Sequence, residues 1–278
     1  MELAPAALET FVVSGAGVIV MDDGDGGNRL TLGLLDSLTD AVQAHVDNPD
    51  VRFILLRSRG AHFCHGMNLE AYLANSDSKA LEGGVRTYAE LLLALNDCPK
   101  TTLAVLEGSV KAGGVGLASA CDIAIASEEV VFELSEAYWG LIPANVMPYL
   151  LTRRISSKRA AYLVQTAAIL KARDALTLGL VEEVHPRIEM EDAVRRIGRR
   201  LSRVSPTATS RYKALVADIQ DLPLAERGEI AVRRLMQIAS NPRIRDSVHA
   251  FLQGNTPDWF KNFKPTRALT ESGERGEV

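Results

Sequence analysis

Cysteine is scarce. Cys64, Cys98 and Cys121 are odd in number and widely separated. Such a set neither staples a small secreted scaffold nor has metal-ligand spacing, so no metal is expected, and reduced thiols in a cytoplasmic protein are the default. Long apolar runs are also missing, and none approaches the ~18 residues that a membrane span requires. The N-terminal stretch shows no basic segment followed by an apolar one, so no secretory leader is expected. Positive charge is not in excess either. The formal net charge of −4 argues against a nucleic-acid partner. No internal repeat is visible.

What is present is an ordinary globular composition on a chain of 278 residues, enough for one large domain or a domain with an appendage. Phe11–Val13 and Val18–Met21 flank Ser14-Gly15-Ala16-Gly17 as an opening hairpin. The Gly/Asp-rich segment 22–29 reads as loop. Leu30, Leu34, Leu35, Leu38, Val42 and Val46 then recur at helical spacing up to Asn48-Pro49. Strands are expected at 51–57, 101–106, 123–126 and 130–132, with helices at 69–73, 85–95 and 114–120, and a polar, Gly-containing loop at 75–84. Alternation of strand and helix implies right-handed crossovers and a largely parallel sheet, an α/β protein. From Ser135 the pattern is almost wholly helical, apart from a last strand at 181–184. Helices near 190–204, 207–221, 224–239 and 243–252 form an appended subdomain. The expected divisions are 1–188 for the core, 189–262 for the helical subdomain and 263–278 for a flexible tail.

Two stretches carry the chemistry. Ala61-His62-Phe63-Cys64-His65-Gly66-Met67-Asn68-Leu69 follows one buried-strand run, and Glu107-Gly108-Ser109-Val110-Lys111-Ala112-Gly113-Gly114-Val115-Gly116-Leu117 follows another. Two strand-to-helix turns can aim backbone N–H groups, helped by a helix N-terminus, at one developing negative charge. That suits a reaction passing through an enolate.

These blocks, with Phe132 through Pro143 and Ala175 through Val181, resemble the crotonase (enoyl-CoA hydratase/isomerase) superfamily over about Phe11 to Pro257. The resemblance implies a crotonase fold of stacked ββα units, with C-terminal helices that close the acyl pocket and build a homotrimer or hexamer. It implies oxyanion donors at the N–H groups of Met67 and Gly113, and a catalytic acid at Glu136. Hydratases of the family carry a second acid where this chain has Gly116. The wording of 112–116 and 135–148 looks most like the first crotonase of polyketide β-branching cassettes. That enzyme dehydrates 3-hydroxy-3-methylglutaryl carried on an acyl carrier protein. The decarboxylase of such cassettes has Tyr and Lys where this chain has Ala71 and Asn75, which disfavours that activity. No cofactor is implied beyond the phosphopantetheine of carrier protein or CoA that bears the substrate.

In this reading Glu136 takes the α-proton while two N–H donors, each worth roughly 3 kcal/mol, hold the thioester oxygen. Apolar Leu134, Trp139 and Leu141 are expected to raise the Glu136 pKa by desolvation. His65 and Asn68 flank the first donor as substrate-binding candidates, His65 having an equal claim as a structural residue. Tyr72 and Tyr138 are candidate donors to a leaving hydroxyl. Lys111, Arg86 and Asn145 are candidates for a distal carboxylate, Lys111 also for the pantetheine arm. Arg195, Arg196, Arg199, Arg200 and Arg203 make a basic helical stripe. That stripe, or Arg153-Arg154 with Lys158-Arg159, is a candidate carrier surface. Trp259-Phe260 is a candidate cover for the acyl pocket.

Overall fold

The computed structural model describes residues 7–74, 78–153 and 155–257. Trp259, Phe260, Arg154 and the tail lie outside these, and the side chains of Tyr72 and Arg153 are likewise not described. None of the helices described is long and apolar enough to cross a membrane.

The chain opens with β1 (Ala7–Val13) antiparallel to β2 (Ala16–Asp22). Ser14 and Gly15, with φ of 49° and 76°, form a two-residue turn, tighter than the four-residue link expected. β3 (Phe53–Ser58), β5 (Thr101–Leu106), β7 (Ile123–Ser127) and β10 (Glu183–His185) then add in parallel, giving the order β1-β2-β3-β5-β7-β10. A second sheet holds β4 (His62–Cys64), β6 (Ser109–Lys111), β8 (Val131–Glu133) and β9 (Leu170–Lys171). So β3, β5 and β7 each run in the large sheet and hand over to β4, β6 and β8 in the small one, which is the expected ββα stacking.

Helix α1 (Leu32–Asp47) is capped by Thr31, whose hydroxyl accepts the Leu34 N–H at 3.2 Å. The short α2 (Leu69–Ala74) precedes α3 (Ser78–Asp97), which packs on α1. α3 begins at 78, not 85: Leu81 and Val85 extend its apolar stripe, and the polar Gly-containing stretch 78–84 is helix rather than loop. α4 (Gly113–Ala120) is buried almost throughout, followed by α5 (Met147–Arg153), α6 (Ser157–Thr166) and α7 (Ala172–Leu178). Gly179 ends α7 with φ of 80°. One apolar cluster fills the space between the sheets and α1, α3 and α4.

On the other face of the large sheet lies α8 (Met190–Leu201), whose Met190, Ala193, Val194 and Ile197 pack on Val18, Phe53, Leu55 and Val105. α8 therefore belongs to the packed core, although the sequence groups it with the appended helices. The departure from the core begins at α9 (Pro206–Ile219), α10 (Leu224–Ala239) and α11 (Pro242–Leu252), none of which buries a residue fully. Lys213 anchors α9 to the core through Asp122 at 2.9 Å, and Asp122 in turn accepts the Thr102 N–H at 2.9 Å.

The loop between β2 and α1 is pinned by Asn28, which is fully buried at φ of 48°. Its amide donates to the carbonyls of Arg59 at 2.9 Å and His62 at 2.8 Å, and its oxygen accepts the Asp23 N–H at 3.1 Å. Asn28→Ala removes three hydrogen bonds, those to the Arg59 and His62 carbonyls and that from the Asp23 N–H, leaves Ser58 as the side-chain donor to the His62 carbonyl, and puts alanine, which tolerates left-handed backbone less well than asparagine, at φ of 48°. The expected loss is about 3 kcal/mol of unfolding free energy, read from urea denaturation. A loss under about 0.5 kcal/mol would show that the loop is not held in this way.

Candidate functional site

Met67 forms an isolated parallel bridge with Leu30: the Leu30 N–H donates to Gly66 O at 2.8 Å and the Asn68 N–H to Leu30 O at 3.1 Å. In a parallel bridge the flanking residues carry the bonds, so the N–H of Met67 itself points away from Leu30. Its side chain is half exposed, and only its backbone bears on the site. Gly66 turns the chain here with φ of 88°, its N–H donating to the Cys64 sulfur at 3.4 Å. Burial pushes the Cys64 thiol up to about 12, so this sulfur is a structural acceptor and not a nucleophile.

Gly113 opens α4, and its N–H belongs to the first turn, where no helical acceptor exists. Ala112 before it sits at φ of 47° and ψ of −117°, a strained conformation that costs about 1–3 kcal/mol. The two turns touch. A β-carbon on Gly66 would lie 3.2 Å from the Gly113 nitrogen and 2.7 Å from the Ala112 β-carbon. The Gly113 nitrogen is thereby held against Gly66, in the turn that also carries Met67.

Glu136 begins a 3₁₀ turn, Glu136–Trp139, directly after β8. β8 pairs with β6 in the register Lys111↔Glu133, and the Ala112 N–H donates to Glu133 O at 2.8 Å, so this turn is attached to the one that carries Gly113. The Glu136 Oε2 is buried without a hydrogen-bond partner among the described residues. Burial pushes its carboxyl above the ordinary glutamate range, its own N–H pulls it back, and Glu133 pushes it up further. Of the three apolar neighbours expected to dry this carboxyl, Leu134 is buried, but Trp139 (70% exposed) and Leu141 (41%) face outward. The sequence places all three in one run and does not register that the 3₁₀ turn rotates the later two away.

The remaining predicted residues divide. Lys111 is ion-paired with Glu133 at 3.2 Å, which makes it a partner of that acid before it is one for any ligand. Asn145 donates to Val85 O at 2.9 Å and ties the loop after the 3₁₀ turn to α3. Arg86 is two-thirds exposed and paired with Glu82 at 2.7 Å, a poor setting for a buried distal carboxylate. Tyr138 is largely exposed. Asn68 lies within the first turn. His65 stacks on His62 with ring centroids 4.5 Å apart, and both are pushed below the ordinary histidine range chiefly by burial, so both are neutral near pH 7. In the basic stripe Arg195 pairs with Asp192 and Arg196 with Glu183, while Arg199 and Arg200 are exposed.

Sequence reasoning missed Tyr88, Leu30, His62 and Asn28. Tyr88 is nearly buried, and its hydroxyl donates to Gly113 O. A β-carbon at Gly116 would lie 2.1 Å from that hydroxyl oxygen, so a phenol fills the space from which an acid at 116 would start. The apolar stripe of α3 was visible in sequence, but nothing local marks which of its members faces α4.

A two-sheet ββα spiral whose two glycine-bearing turns touch, with a half-buried glutamate on the turn after β8, defines a crotonase-fold protein. A sequence profile of the enoyl-CoA hydratase/isomerase family matches residues 13–262, and the chain belongs to that family. An enoyl-CoA hydratase of Alternaria alternata is 33% identical over 210 residues, 74% of this chain and 68% of that protein. The crystal structure of an enoyl-CoA hydratase from Shewanella pealeana is 25% identical with a TM-score of 0.85, covering 93% of this chain and 97% of that one. Pseudomonas aeruginosa AtuE is 28% identical at a TM-score of 0.84, covering 91% and 99%.

An acid whose pKa rises on folding weakens the fold once pH exceeds its unfolded value, and the penalty is complete above its folded value. Glu136→Gln removes that penalty. The variant is expected to melt higher than the parent at about pH 8, with the gap closing as pH falls toward the ordinary value of 4.5. Calorimetry across this range checks it, and a gap that does not depend on pH contradicts it.

Proposed function

We propose that this protein is a dehydratase acting on a 3-hydroxy-3-methylglutaryl thioester, carried on an acyl carrier protein, and yielding 3-methylglutaconyl thioester in polyketide β-branching. The observation that carries the reading is the Glu136 carboxyl, whose buried Oε2 has no hydrogen-bond partner among the described residues, with glycine at 116 in place of a second acid. In this scheme the N–H groups of Met67 and Gly113 receive the thioester oxygen. Glu136 removes the α-proton, and the electron pair of the C–H bond passes into an enolate held by the two amides. The enolate re-forms the carbonyl as the α–β double bond is made and the β-hydroxyl departs. The proton on Glu136 goes to that hydroxyl, water leaves, and the carboxylate is regenerated. One carboxyl in both roles requires syn elimination. The raised pKa places Glu136 closer to neutrality, where a group that must both accept and return a proton works best.

A homotrimer or hexamer belongs to the reading, supported by the apolar side chains that α10 and α11 leave outside, among them Leu235, Met236, Phe251 and Leu252. Exposed Arg199 and Arg200 support docking of an acidic carrier, and the site needs no metal. A second reading, a single-glutamate enoyl-CoA isomerase or hydratase, is favoured by the similarity to the enoyl-CoA hydratase of Alternaria alternata. A non-catalytic carrier-binding trimer is the third.

Mass spectrometry of the hydroxymethylglutaryl carrier after incubation separates these: dehydration removes one water, and isomerisation of an enoyl thioester leaves the mass unchanged. Glu136→Gln is expected to lower turnover by about 10²–10⁴-fold. Turnover of the parent should fall on the acid side with a midpoint above the ordinary glutamate value of 4.5, since the base must be ionised. Unchanged function in Glu136→Gln would point to the scaffold.

A further inference from the structure

Tyr88 stands on α3, seven positions before the last of the fully buried leucines that hold this helix to α4, and it is only 7% exposed. Three observations converge on its hydroxyl. It donates to the carbonyl of Gly113, the residue that opens α4. It lies 3.3 Å from where a β-carbon on Gly113 would stand. It lies 2.1 Å from where a β-carbon on Gly116 would stand, a separation no real side chain tolerates. Any substituent at 116 must therefore drive the phenol off the Gly113 carbonyl, with Val146 and Leu92 closing the same space at 3.2 and 3.3 Å. The glycine and the tyrosine are a matched pair.

We propose that Tyr88 is a positioning residue: its hydroxyl, admitted by the bare Gly116, clamps the first turn of α4 through the Gly113 carbonyl and so sets the direction of the Gly113 N–H. The strained Ala112 makes such a clamp useful, because the peptide before Gly113 sits in a conformation that relaxes if the turn is not held on both sides. Gly66 holds one side and Tyr88 the other. Burial first, then the nearby Cys64, Glu136 and Tyr149, keep the phenol protonated well above the ordinary tyrosine range, so it remains a donor and never competes with Glu136 as a base. The role deepens the proposed function and rests on it only where turnover is read.

The test uses the full chain as Tyr88→Phe, Gly116→Ala and the double variant, with two readouts. Amide hydrogen exchange of segment 113–120 reports the clamp without reference to any substrate. Turnover of the hydroxymethylglutaryl thioester reports its consequence. Tyr88→Phe keeps the ring and removes one oxygen. Exchange in 113–120 is expected to accelerate while the β5 and α8 amides are unchanged, and kcat to fall about tenfold or more with KM within about twofold. Gly116→Ala should reproduce both effects. The double variant should be no worse than either single one, because both remove the same bond. Losses that multiply, or Tyr88→Phe with parental exchange and kcat, would overturn the proposal. So would acceleration spread over the whole fold, which would make the tyrosine ordinary core filling. A parent that leaves the thioester untouched while exchange responds as described would reject the dehydratase reading and keep the clamp.

Discussion

The close approach of two backbone turns is the constraint on which the rest depends. Gly66 lies against Ala112 and Gly113 at distances that leave no room for a methyl group. Everything nearby serves that contact. Asn28 fixes the loop that delivers Leu30, and Leu30 bridges to Met67. Cys64 accepts the Gly66 N–H from below, and the Glu133 carbonyl accepts the Ala112 N–H from the side. Within the small sheet, β4, β6 and β8, only three residues each, set these turns in register. Backbone amides can be aimed in this way only if neighbouring backbone bonds are already complete, because an amide free to rotate would pair with water or with itself.

Charge is arranged with the same economy. Two glutamates, at 133 and 136, lie three residues apart, yet their surroundings differ. Glu133 has Lys111 beside it, whereas the buried oxygen of Glu136 has no partner among the described residues. A desolvated carboxyl is held ready to exchange protons. Glu133 also pushes the Glu136 carboxyl up, and the lysine read in sequence as a ligand for substrate acts first as the partner of Glu133. The histidines at 62 and 65 take the neutral form for a related reason: burial disfavours charge on both, Lys111 adds to it on His62, and His62 and then Lys111 add to it on His65.

Much of this was legible in the chain. Apolar runs of strand length and helical stripes such as Leu34, Leu38 and Val42 announce an α/β protein, because periodicity depends on local geometry alone. The glycine-bearing turns announce themselves for the same reason. The short strands β4 and β6 do not, since neither stands out as an apolar run, whereas β8 and β10, of the same length, lie at or beside runs read as strands. The start of α3 was misread because Gly83 and Gly84 lower helix propensity, while tertiary packing along the rest of the stripe outweighs that cost. α8 was grouped with the later helices because its sequence is as polar as theirs; its burial follows from which face of the large sheet was left uncovered.

Local order was therefore written in the sequence: the elements, the two turns and the acid at 136 follow from spacing and resemblance. Only the tertiary structure decided which groups meet. That Lys111 is taken by Glu133 and that the hydroxyl of Tyr88 fills the space above Gly116 are facts of long-range packing. They join residues up to tens of positions apart, and no local period encodes such distances.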